Sequence, residues 1–133
     1  MKYFFTFFGF LFFLNLCAQN TDSTNTKKTL IKTGIASFYS KSLDSTKTAT
    51  GEIFLNSKLT AASNSFKLNT IVKVTNIRNG RSVIVRINDR MHPRMAKKGR
   101  IIDLSRAGAK KLGFLKSGLT RVTVEVIPKK QKK

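Results

Sequence analysis

Two alternating apolar stretches separated by Asn79-Gly80 constrain this chain more than any other feature. From Thr70 to Ile77, Val72 and Val74 fall on one side, with Lys73 and Thr75 on the other. From Ser82 to Ile87, Val83, Val85 and Ile87 share a side and Ile84 opposes them. Side chains alternate across a strand, so each stretch reads as a strand with one buried face. Asn and Gly tolerate positive φ, so Asn79-Gly80 predicts a tight primed hairpin turn between them. Arg121 to Ile127 alternates again, with Val122, Val124 and Val126 set against Thr123 and Glu125. Ile35 to Tyr39 is a further short strand, preceded by Gly34. One helix is predicted over Arg106 to Leu112, with Ser105 as N-cap and Gly113 in the left-handed closing position. Several short strands with one short helix suggest a small closed or nearly closed β-barrel.

The ends of the chain read differently. Lys2 is followed by the apolar run Tyr3 to Leu16, which holds seven Phe, and then by Cys17, Ala18, Gln19 and Asn20. So short a run with a small, polar exit reads as a secretory signal over residues 1–18, cut after Ala18, rather than a membrane span. Lipidation of Cys17 is the alternative, but Leu16 stands where such a site wants a small residue. Residues 19–33, rich in Thr, Ser, Asn and Lys, read as a flexible spacer. The folded domain is placed at 34–128 and a basic tail at 129–133. The expectation is an exported monomer of the periplasm or cell envelope, without stable membrane insertion once the leader is removed.

Formal charge is +20 from 26 basic and 6 acidic residues, so the surface suits an anionic polymer. Nucleic acid is set aside, because a leader takes the chain out of the cytoplasm and no aromatic-basic platform for stacking bases is present. The one cysteine lies in the leader and the one histidine is His92, which excludes a Cys/His metal site and a disulfide in the mature chain. No cofactor is expected.

The strand from Ser82 ends abruptly in Asn88-Asp89-Arg90. A carboxylate at a strand end, in a chain with so few, is a candidate catalytic group. Arg86 and Arg90 flank it and would hold it ionised if they reached it, although adjacent residues in a strand point apart.

Several segments become recognisable together. They are Gly34-Ile35-Ala36-Ser37-Phe38-Tyr39, Thr48-Ala49-Thr50-Gly51-Glu52, Leu59-Thr60-Ala61-Ala62, Val72-Lys73-Val74-Thr75-Asn76, Asn79-Gly80-Arg81-Ser82-Val83, Arg86-Ile87-Asn88-Asp89-Arg90 and Gly99-Arg100-Ile101-Ile102-Asp103-Leu104-Ser105. In this order they resemble the rare lipoprotein A (RlpA) family of bacterial lytic transglycosylases, over roughly Gly34 to Ile127. The resemblance implies a mainly β fold, a six-stranded double-psi β-barrel with one or two short helices. It implies peptidoglycan glycan strands as partner and substrate, with those lacking stem peptides preferred.

A lytic transglycosylase breaks the bond between N-acetylmuramic acid and N-acetylglucosamine without adding water. An acid protonates the leaving oxygen, and a base helps the muramyl C6 hydroxyl attack its own anomeric carbon. One carboxyl can do both in turn. By motif the resemblance gives Asp89 this role, with Glu52 as a supporting group or second acid. Asp103 also matches a family position, with a structural or groove-lining role, and Thr60 lies in a matched segment. Tyr39 is a candidate sugar-stacking ring and Arg90 a candidate contact for acetyl, lactyl or stem-peptide carboxylate groups. Ser63 stands at a further groove position, where the family usually has a histidine, and Met91-His92 stands where Gly-Pro commonly follows the Asn-Asp-Arg. A competing expectation is a non-catalytic, expansin-like module that binds peptidoglycan or loosens the wall.

Overall fold

The computed structural model describes residues 29–130. The leader, its cleavage position, Cys17, most of the spacer and the end of the basic tail lie outside the described residues. The elements are β1 (Ile31–Phe38), β2 (Thr60–Ala62), β3 (Ile71–Asn76), β4 (Ser82–Asp89), α1 (Pro93–Lys97), β5 (Arg100–Leu104), α2 (Arg106–Leu112) and β6 (Thr120–Val126). The six strands close into a barrel in the order β1-β5-β2-β4-β3-β6. Two neighbouring pairs, β1 with β5 and β2 with β4, run parallel, and the other pairs run antiparallel. This is the double-psi β-barrel that the resemblance implied. Among the described residues no helix is long and apolar enough to cross a membrane.

The period-2 pattern builds the interior. Val72, Val74, Val85, Ile87, Val122 and Val124 point inward with at most 1% of their surface exposed. Each contributes about 1.5–3 kcal/mol of burial free energy. Ile102 and Leu104 of β5 and Ala61 of β2 complete the same core. At Gly34 a Cβ would lie 2.6 Å from Ile101 Cγ2, so β1 comes that close to β5 only because the residue has no side chain.

Two expectations need correction. β1 begins at Ile31 rather than Ile35, and Lys32, assigned to the spacer, pairs with Val124 of β6. The alternating pattern of β6 supplies that edge, which the polar composition of residues 31–33 concealed. The turn after β3 is a four-residue loop rather than a two-residue primed turn. The Asn76 N–H donates to Arg81 O, and Gly80 has φ +73° while Asn79 does not adopt positive φ. Asn79 is used otherwise. Its Nδ2 donates to Leu112 O at 2.8 Å, and Nδ2 of the buried Asn76 donates to the same oxygen at 2.9 Å. Carbonyls in the last turn of a helix lack intrahelical partners, and these amides fill that need. The helix follows expectation: Ser105 Oγ accepts from Gly108 N, and Gly113 closes it at φ +75°.

Candidate active site

The site is built on an irregularity in β4. Ala61 of β2 pairs with Ile87, but the next residue, Ala62, pairs with Asp89, so Asn88 is an extra residue in the strand. Strict alternation would send Asp89 inward with Val83, Val85 and Ile87. The bulge shifts the phase by one residue and re-aims the carboxyl to the outer side of the barrel wall. There it meets a second apolar cluster of Tyr39, Phe54, Ala62 and Met91, separate from the barrel core.

Ala62 also pairs with Asp103 of β5. Asp89, Ala62 and Asp103 therefore form one rung across three adjacent strands, the two aspartate Cα atoms about 10 Å apart across two strand spacings. The small alanine between them leaves an open groove of about 530 Å³. Tyr39, Ala62, Asp89, Met91, Arg100 and Asp103 are among its lining residues, with His92 and Met95 on the side of the basic loop.

No guanidinium binds Asp89. Oδ1 accepts from Arg90 N at 2.8 Å and Ala49 N at 3.0 Å, and Oδ2 accepts from the Tyr39 hydroxyl at 2.6 Å. Each flanking arginine is engaged elsewhere. Arg86 binds Glu52 through two nitrogens, at 2.5 and 2.6 Å. Arg90 donates to the backbone oxygens of Ser63 and Phe66. The sequence-based objection to Asp89 falls, because neither neighbouring arginine reaches it.

Glu52 is a different kind of group. Besides Arg86, it accepts from Thr50 Oγ1 at 2.9 Å. The Arg86 hydrogen bonds, then that of Thr50, pull its carboxyl down to about 2. A group so readily ionised holds no proton to give, and Glu52 does not line the groove. The expected role as second acid is therefore not supported by its surroundings.

Asp103 is buried enough that desolvation raises its carboxyl above the usual range, against the opposing pull of Arg100. Arg100 Nε and Nη2 bind it at 3.1 and 2.6 Å.

A profile of the family described as lytic transglycolase matches residues 31–124. The chain belongs to that family. Among its curated relatives, the endolytic peptidoglycan transglycosylase RlpA of Pasteurella multocida is 54% identical over 94 residues, covering 71% of this chain and 31% of the relative. The Haemophilus influenzae RlpA is 43% identical over 107 residues, covering 80% of this chain and 36% of the relative. The chain thus spans about a third of the length of these relatives. Among solved structures, the barrel is similar to Streptomyces papain inhibitor (TM-score 0.60, 22% identity, 74% of this chain and 96% of that one). It is also similar to an expansin of Clavibacter michiganensis (TM-score 0.59, 19% identity, 75% of this chain and 52% of that one). At those identities the likeness is one of fold.

Within this lytic transglycolase barrel, two of the expected groove residues, Ser63 and Thr60, face elsewhere, and a third, Arg90, turns its guanidinium away. Ser63 is fully buried: its Oγ donates to Ile101 O at 2.6 Å and accepts from Ser65 N at 3.1 Å. It ties the loop after β2 to β5 and does not stand in for a site histidine. Thr60 is also buried, and its Oγ1 finds no partner among the described residues. The residue of β2 that lines the groove is Ala62, two positions on. Arg90 lines one wall, but its guanidinium braces the Ser63–Phe66 backbone. Tyr39 is in the groove, although not as a stacking platform. Its ring packs on Phe54 with centroids 4.2 Å apart, and burial followed by Asp89 pushes its hydroxyl well above the usual range. It remains a proton-bearing donor that holds Asp89 in place. His92 caps α1, its Nδ1 accepting from Arg94 N at 3.2 Å. Arg100 was missed: residues three apart on a strand point to opposite faces, and only the extra residue Ile101 in the β1–β5 register brings it to the side of Asp103.

Proposed function

We propose that this barrel cleaves the bond between N-acetylmuramic acid and N-acetylglucosamine in peptidoglycan glycan strands, without water, leaving 1,6-anhydromuramyl ends. It acts as a monomer in the cell envelope, where that polymer lies, and prefers strands without stem peptides. The observation that carries the reading is the Asn88 bulge, which presents Asp89 in an open groove with no cation of the described residues bound to it. The names of the RlpA relatives support the same chemistry.

The reaction needs a proton delivered to the leaving O4 and a proton withdrawn from the muramyl C6 hydroxyl. One carboxyl can do both in turn, or two can share them. Asp89 suits the withdrawal. A carboxylate offers about four lone-pair positions, and three are filled here. The remaining position on Oδ2 can receive the hydroxyl proton. The Tyr39 hydroxyl and the two amides fix its direction, and that fixed geometry lowers the cost of reaching the transition state.

The test is mass spectrometry of glycan strands, with and without stem peptides, after incubation with the purified protein and its Asp89→Asn variant. New 1,6-anhydromuramyl ends from the native protein alone are expected. Strands bound but left uncut by both would overturn the reading in favour of a glycan-binding barrel.

A further inference from the structure

We propose that the two proton transfers are divided between the two aspartates of one rung, with Asp103 giving the proton to the leaving oxygen and Asp89 taking the one from the C6 hydroxyl. The proposal rests on the lytic transglycosylase reading of the groove. Its basis is which oxygen atoms are free. Asp89 accepts hydrogen bonds on both oxygens, from two amides on Oδ1 and from a hydroxyl on Oδ2. Asp103 is bonded on one side only. Both Arg100 nitrogens converge on Oδ1, and Oδ2 has no hydrogen-bond partner among the described residues. Asp103 itself lines the groove. A carboxyl with one oxygen anchored and the other open to the groove can hold a proton where a substrate oxygen can collect it.

The surroundings agree. Burial raises the carboxyl of Asp103 above its usual range despite Arg100. The Asp103 side chain is 13% exposed, enough to touch a ligand while largely shielded from water. The rung places the carboxyls on either side of Ala62. A glycosidic bond lying over Ala62 would have one aspartate on each flank, as division of labour between two carboxyls requires.

The step balances. The bond from the muramyl C1 to O4 of the next sugar breaks, and its electron pair stays on O4, which takes the proton from Asp103 Oδ2. The C6 oxygen bonds to C1 and its proton passes to Asp89 Oδ2. Asp103 ends ionised and Asp89 protonated, and exchange with water in the open groove restores both. No oxidant, metal or hydrolytic water is consumed.

The proposal is tested by changing the leaving group. The substrates are glycan strands and a GlcNAc-MurNAc disaccharide bearing a 2,4-dinitrophenyl group on the muramyl anomeric carbon, which departs without acid assistance. Asp103→Asn is expected to lose about 10²- to 10⁴-fold on strands but less than about tenfold on the dinitrophenyl glycoside. Asp89→Asn is expected to lose heavily on both. Turnover of the activated glycoside by Asp103→Asn also shows that the variant folds, and Asp103→Glu is expected to recover part of the strand activity. Equal loss on both substrates, or no loss on strands, overturns the assignment while leaving the transglycosylase reading intact. No anhydro ends from the native protein would overturn both.

Discussion

Among the described residues, two carboxylate–arginine pairs of nearly the same length behave in opposite ways. Glu52 and Arg86 meet at 2.5 Å with side chains 41% and 32% exposed, and Asp103 and Arg100 meet at 2.6 Å with 13% and 21% exposed. At the more open pair the arginine dominates and Glu52 is pulled down to about 2. At the more buried pair, loss of water outweighs the arginine and Asp103 is raised. An arginine beside a carboxylate therefore does not by itself say which way the carboxyl is shifted. How much water each group keeps decides whether the carboxyl can carry a proton.

The sharpest way to break this comparison is to remove each cation. Arg100→Met leaves a largely buried carboxyl alone and is expected to cost about 2–4 kcal/mol at neutral pH, somewhat below the figure for a fully sealed pair. The loss should shrink as pH falls and Asp103 takes up its proton. Urea unfolding at several pH values measures both effects. Arg86→Met should cost far less, because its partner is already hydrated. Equal costs for the two variants would sink the contrast.

Tyr39→Phe ranks next. It removes the hydroxyl that binds Asp89 Oδ2 but keeps the ring on Phe54. Loss of one hydrogen bond to a carboxylate predicts a fall of about ten- to a hundredfold in the rate of anhydro-end formation. Near-native thermal unfolding would separate this positioning effect from damage to the fold.

The smaller effects concern the sign of pH dependence. Asp103 has a folded value above its unfolded one, so the folded state binds more protons in that window. Stability from this group is full below the unfolded value and declines as pH rises through the folded one. Asp103→Asn should remove the decline and leave the protein at neutral pH about as stable as the native form, or more so. Glu52 runs the other way. Its contribution is present above the ordinary glutamate value of 4.5 and is lost as pH falls towards about 2. Glu52→Gln should therefore slightly lower the urea midpoint at neutral pH and flatten the acid limb of the stability curve.

Alternation revealed β3, β4 and β6 because each buries one face, and Ser105 and Gly113 marked the ends of α2. β2 and β5 were not legible. Thr60-Ala61-Ala62 is three residues long and buried on every one, so it has no period to read. Residues Arg100–Leu104 gave no strand pattern of their own, and their parallel partner β1 is over sixty residues away in sequence. The candidate site was half legible. The motif pointed to Asp89 as its carboxylate, but the bulge that aims it depends on the register of a second strand. The destination of Arg86 was hidden for a similar reason, since Glu52 lies 34 residues back in the chain. Ser63 was misread because motif position alone does not say which way a side chain points.

The first and last strands lie side by side and antiparallel, with Ile31 opposite Glu125. The chain therefore enters and leaves the barrel at one end, separated by about one strand spacing. Tension applied through the two ends would open the β1–β6 seam like a zipper, one rung at a time from Ile31 and Glu125, instead of shearing all its rungs at once. A barrel closed on every side is thus weakest along the line on which its own chain can pull.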